Sequence, residues 1–369
     1  TRNLSFMKYG FNSWNSWDPL KKCLVGNVYP KGFFEDYEDK RVADALSKVN
    51  EDSREDIQNL KNILTSAGVD VIQTPAEVTM NDGVVKNIND HIEMTNGKIS
   101  KPLMAPRDEF IVMGDKMLNT SKVHTYRHWG PWQGCEDYIQ TRPDIFDKHV
   151  EPPSIMRAGK DIQVDVSTHN GATKEFAQEL MPEMFPNFRV NTIEMGGHSD
   201  AVICLVKPGL LLSHTKVSNY DVTYPGWDVI YVDRPVDEYT EAYWKYRRSL
   251  PDVVNYWVKG QEDNDKFHEF IRRWFNTGYV YETLFNVNCL SIDPNTLVAN
   301  YYDKELATKL KKYGVEIVEA PMRHRHFWDC GIHCATVDLV REGSMEDYFP
   351  GRTSGQHFGR IWGDNETRR

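Results

Sequence analysis

The stretch "DAVICLVKPGLLLSH" (200–214) carries two apolar runs split by Lys207-Pro208-Gly209. Pro-Gly between aliphatic runs is turn chemistry, so the segment reads as a hairpin of two short strands. The same piece returns as "DEFIVMGDKMLNT" (108–120), with Gly-Asp at the turn, and as "VNCLSIDPNTLVAN" (287–300), with Asp-Pro-Asn. A second piece also recurs: "LKNILTSAGVDVIQTP" (60–75), "YPGWDVIYVDRP" (224–235) and "LKKYGVEIVEAP" (310–321). Each has a Gly, alternating aliphatics and a final Pro, and in the first and last a helical pattern leads into the Gly. These features read as helix, Gly stop, strand, Pro stop, with one hairpin piece preceding each.

The implied unit is strand, turn, strand, a longer connection usually carrying a helix, and a third strand. Two further candidates, "KKCLVGNVYP" (21–30) and the segment 160–195, bring the count to about five. Units that cannot bury their apolar faces alone usually close around an axis. No low-complexity segment or long linker divides the chain, so 1–369 is expected to form a single α/β domain with a polar tail near "GDNETRR".

Bulk composition narrows the function. Lys and Arg total 44 against 54 Asp and Glu, a formal charge of −10, with no basic stripe to follow a phosphate backbone, so no nucleic-acid partner is expected. No run of about 18 apolar residues is present to span a bilayer, and the start lacks the apolar core of a secretory signal. A soluble, cytoplasmic protein is expected, with homo-oligomerisation left open. Six cysteines at irregular spacings do not make a disulfide framework and read as free thiols.

Polar residues fall at equivalent places, just before the first hairpin strand: Asp108, Asp161, His198 with Asp200, and the pair Asn286 and Asn288. Units arranged round an axis would make them converge. His198 and Asp200 are two apart, so on a strand they would share a face. The densest stretch, "RHRHFWDCGIHC" (323–334), holds His324, His326, His333, Cys330 and Cys334. A structural zinc site would draw on these residues, but no second Cys/His pair lies at a matching distance. The competing reading makes one cysteine a nucleophile, with a base remote in sequence and near in space, which His198 with Asp161 or Asp200 would supply. Trp14 and Trp17 read as core packing rather than a cation pocket.

At this point the ordered motifs resemble those of the amidinotransferases, within the superfamily of guanidino-group-modifying enzymes. They are Trp17-Asp18-Pro19-Leu20, Pro106-Arg107-Asp108, Arg157-Ala158-Gly159-Lys160-Asp161-Ile162, His198-Ser199-Asp200-Ala201 and Gly331-Ile332-His333-Cys334-Ala335-Thr336. The resemblance implies a five-bladed α/β propeller, the pentein fold, of ββαβ-type repeats around a pseudo-fivefold axis. It also implies an enzyme that moves the amidino group of arginine, or a similar guanidine, to an amine acceptor through a covalent amidino-cysteine. In that reading Cys334 is the nucleophile, His198 the general acid and base, Asp161 the carboxylate that orients the histidine, and Asp108 and Asp200 the acids that hold the guanidinium. The resemblance departs at Ser213-His214-Thr215-Lys216-Val217, where Val217 falls in place of the family's carboxylate-gripping Arg and Lys216 offers a point charge instead. The family's adjacent serine pair is also unmatched in 275–286, so glycine is not the expected acceptor. With water as acceptor the same residues would run a hydrolase, and a propeller that only binds a cationic ligand would need the acids without the nucleophile. Thiolate and imidazole suffice for the reaction, so no cofactor and no metal is expected.

Overall fold

The computed structural model describes residues 10–80, 83–94, 104–120, 138–140, 150–167, 172–196, 198–214, 219–232, 258, 260–261, 263–275 and 287–360. Among these residues the strands form five sheets of three or four strands and one two-stranded hairpin. The first sheet joins β1 (Leu20–Val25), β2 (Asp70–Gln73) and the late strand β17 (Thr336–Arg341). The small hairpin is β3 (Val78–Met80) with β4 (Gly83–Val85). The second sheet is β5 (Phe110–Met113), β6 (Lys116–Asn119) and β7 (Tyr138–Gln140). The third is β8 (Ile155–Ala158), β9 (Asp161–Asp165), β10 (Arg189–Glu194) and β18 (His357–Arg360). The fourth is β11 (Ile203–Lys207), β12 (Leu210–Ser213) and β13 (Asp228–Tyr231), and the fifth β14 (Leu290–Asp293), β15 (Thr296–Ala299) and β16 (Glu316–Glu319).

Every sheet repeats one arrangement, an antiparallel pair followed by a parallel third strand. The hairpins expected at 108–120, 200–214 and 287–300 are β5–β6, β11–β12 and β14–β15. The strands expected within 60–75, 224–235 and 310–321 are β2, β13 and β16. One expected pairing is corrected. The 60–75 piece does not follow a hairpin of its own; it lies parallel to β1, whose antiparallel partner β17 arrives from more than 300 residues later. Two distant strands thus build the sheet that leads out of Cys334.

The helices obey local chemistry. Helix Lys40–Ser66 starts where the Asp39 side chain accepts from the Val42 N–H, and Val42, Leu46, Val49, Ile57, Leu60 and Leu64 face the core. It stops at Gly68, φ +82°, with the Val69 N–H donating to the Leu64 carbonyl. Helix Lys304–Lys311 repeats the device, capped by Asp303 and closed at Gly314, φ +72°. Trp17 is buried in edge contact with Trp227 and Tyr348, and Trp14 stacks on Phe188, so both are packing residues. No helix among the described residues is long and apolar enough to cross a membrane.

At the centre sits a buried charge cluster. Asp338 of β17 receives Arg107 (2.8 Å), Arg157 (2.6 Å) and Arg341 (2.7 Å), and none of the four side chains is more than 2% exposed. Burial alone would raise the Asp338 carboxyl, but the three guanidinium groups hold it well below the usual carboxylate range. Burial also pulls Arg157 down to about 10. Arg157 belongs to β8 of the third sheet, Arg341 to β17 of the first, and Arg107 to the turn that leads into β5, so the cluster ties these parts together. A narrow cavity of about 20 Å³ adjoins it, lined by Arg107, Arg157, Ile203, Ser291 and His333 among others.

Candidate active site

Cys334 lies in the turn that feeds β17 and is 1% exposed. The turn is held from several sides: Ala335 N–H donates to Gly331 O (2.9 Å), Thr336 N–H to His333 O (3.1 Å), and Arg107 N–H to the Cys334 carbonyl (3.2 Å). The 3-10 turn Pro106–Asp108 leads into β5, so this last bond sets Asp108 one residue along from a direct contact with the cysteine's main chain.

Around the sulfur the contacts are polar. Cys334 Sγ lies 3.4 Å from Asp200 Oδ2, and the same oxygen accepts from His333 Nδ1 at 2.7 Å. Asn288 Nδ2 donates to the sulfur (2.9 Å), while Asn288 Oδ1 accepts the Cys334 N–H (3.1 Å). Gly331 is required beside it, since a Cβ there would fall 2.4 Å from Asn288 Oδ1. Burial pushes the Asp200 carboxyl up, but the His333 hydrogen bond and the nearby His198 and Arg107 outweigh it and hold the group below the usual range. Burial and the Arg107 charge together pull His333 below the usual histidine range. Both directions fit a neutral His333 whose Nδ1–H donates to an ionised Asp200.

His198 caps the 3-10 turn Ser199–Ala201 and is 4% exposed. It does not share a strand face with Asp200, because a turn and not a strand carries both. Its Nε2 is hydrogen-bonded to Glu151 Oε2. Here the sequence expectation for Asp161 is corrected. Asp161 instead accepts from Arg189 (2.6 Å) and lies 3.7 Å from Arg352, in a cluster that also holds Asp347. It binds the C-terminal segment to the third sheet, where β18 pairs with β10. The reason is one of register. Asp108, Asp200 and Asn288 precede the first strand of their hairpins, whereas Asp161 opens β9, the second strand of its own. The equivalent place before β8 is the turn Pro152–Ser154, preceded by Glu151. Applying the repeat to β8 rather than β9 would have found Glu151 in the sequence.

Cys23, Cys204 and Cys289 are buried as well. Burial pushes Cys23 and Cys204 up to about 12 and Cys289 well above the usual thiol range, which removes them as nucleophiles at neutral pH. The "RHRH" residues are scattered: Arg323 and His324 bind Asp52, and Trp328 Nε1 donates to Ser53 Oγ, so this segment anchors the cysteine turn to helix Lys40–Ser66. Lys216 and Asn286 lie outside the described residues.

A buried thiol thus stands against a carboxylate on repeated ββ-β sheets, and the α/β fold that carries them is shared with a solved amidinotransferase. Inosamine-phosphate amidinotransferase from Streptomyces griseus superposes with a TM-score of 0.61 at 17% identity, over 92% of this chain and 99% of that one. Among curated proteins, mitochondrial glycine amidinotransferase of Xenopus tropicalis is 22% identical over 402 residues, spanning 91% of this chain and 84% of that protein. L-arginine:L-lysine amidinotransferase of Pseudomonas savastanoi pv. phaseolicola is 23% identical over 223 residues, 58% of this chain and 51% of that protein. No family model matches the chain. The chain is thus similar to amidinotransferases along most of its length.

Proposed function

We propose that the protein is an amidinotransferase that moves the amidino group of arginine, or a similar guanidine, to an amine through an amidino-cysteine on Cys334. The observation that carries this reading is Cys334 Sγ at 3.4 Å from Asp200 Oδ2. In this reading the sulfur is the nucleophile and the carboxylate beside it is an acid suited to a planar cation. A guanidinium seated on Asp200 and Asp108 presents its central carbon to the sulfur. The Cys334 thiolate attacks that carbon, the bond to the donor's amine breaks, and the departing amine takes a proton from His198. The acceptor amine then attacks the amidino carbon, gives its proton to His198 and releases the thiolate. Glu151 holds the imidazole through both halves. Lys216 is assigned to the far end of the donor or acceptor as a point charge.

We place these residues in a single domain whose five sheets are the blades of a propeller round a pseudo-fivefold axis. In support, Arg107 from the turn before β5, Arg157 of β8 and Arg341 of β17 reach one carboxylate, and residues flanking or within all five sheets line the small cavity beside it. The test is incubation with arginine labelled at the guanidino carbon, with and without a panel of amines. Label on an added amine, with ornithine formed in step, is expected. Label only in citrulline, urea or carbon dioxide would move the protein to the hydrolases.

A further inference from the structure

We propose that Asn288 is a catalytic residue: its amide nitrogen stabilises Cys334 as the thiolate, and its amide oxygen fixes the main chain that carries the sulfur. The inference rests on Cys334 being the nucleophile. Asn288 is fully buried in the approach to β14. Its orientation follows from chemistry. The Cys334 main-chain N–H, 3.1 Å from Oδ1, can only donate, so the oxygen must face it. The NH2 group is therefore turned to the sulfur at 2.9 Å, with the Asp200 carbonyl as a second acceptor at 3.4 Å. A donor aimed at sulfur favours the thiolate, which only accepts, over the thiol.

The surrounding charges show why such a donor is needed. Asp200 Oδ2 stands 3.4 Å from the sulfur and opposes a second negative charge there. The Asp200 carboxylate is in turn held by the His333 hydrogen bond at 2.7 Å, with His198 and Arg107 acting on it through space. Asn288 is a donor on the sulfur itself, and it carries no charge to compete with a cationic substrate for Asp200. The space kept open at Gly331 lets it hold both contacts at once.

The test reads the sulfur rather than turnover. The pH titration of thiolate ultraviolet absorbance, taken as a difference against Cys334→Ala, is compared between the unaltered protein and Asn288→Ala without substrate. The midpoint is expected to rise by about one pH unit, a tenfold loss of thiolate below it. An unmoved midpoint in the folded variant overturns the proposal. Should Asn288→Ala not fold, Asn288→Asp keeps an oxygen for the Cys334 N–H and replaces the donor facing the sulfur. The same upward movement is expected there, and its absence overturns the proposal equally. A protein that transfers no amidino group yet shows the movement would sink the functional reading alone.

Discussion

Replacing Glu151 by Gln and Asp161 by Asn separates two roles that the sequence leaves entangled. Glu151 Oε2 is hydrogen-bonded to His198 Nε2, and its side chain is 23% exposed. A charge-assisted hydrogen bond contributes about 1.5–3 kcal/mol, and partial exposure screens it toward the lower end. At about 1.4 kcal/mol per decade, Glu151→Gln should lower kcat/KM by about 10- to 30-fold without altering stability much. Asp161 is 1% exposed and bridges Arg189 and Arg352, so Asp161→Asn should cost about 3 kcal/mol of stability while leaving the rate within about twofold. The assay is ornithine release from arginine with the acceptor amine that the labelling experiment selects, alongside urea unfolding. A rate loss in Asp161→Asn as large as that in Glu151→Gln, at unchanged stability, would refute the assignment of Glu151.

Further outcomes follow from the same geometry. Gly331→Ala drives a Cβ into Asn288, 2.4 Å from its Oδ1, and should cut the rate by about 100-fold while urea unfolding shows a folded protein. Asp338→Asn strands three buried arginines and should cost about 3–5 kcal/mol, read from the urea midpoint. His91 is buried against Tyr29 and Phe33, and burial takes it down to about 4. The unfolded chain therefore gains a proton near pH 6.5 that the folded chain refuses until about 4, so stability is full above that window and falls across it by about 3 kcal/mol. His91→Phe should remove that part of the pH dependence in a comparison of unfolding curves.

Much of this was legible in the sequence because turn residues act locally. Pro208-Gly209 and Gly114-Asp115 mark hairpins, and Gly68 and Gly314 end helices, wherever the rest of the chain goes. The register of Asp108, Asp200 and Asn288 follows from those hairpins. What failed was non-local. The partner of β1 is β17, and no local signal announces a pairing across the whole chain. Asp161 sits in a family-like motif, yet its neighbours Arg189 and Arg352 come from a later strand and from the C-terminal segment. Glu151 stood one strand away from where the repeat was sought. The contact of Asn288 with Cys334 likewise depends on two turns meeting in space, which the sequence places only in a common register.

The most direct test of the central claim is the mass of Cys334 after brief incubation with arginine alone, followed by an acid quench and peptide mapping. The account predicts an adduct of about 42 Da on the peptide bearing Cys334, which an added acceptor amine discharges. It also predicts that Cys334→Ala acquires none. An unmodified Cys334 in protein that is turning over arginine, or the same adduct in Cys334→Ala, would contradict it.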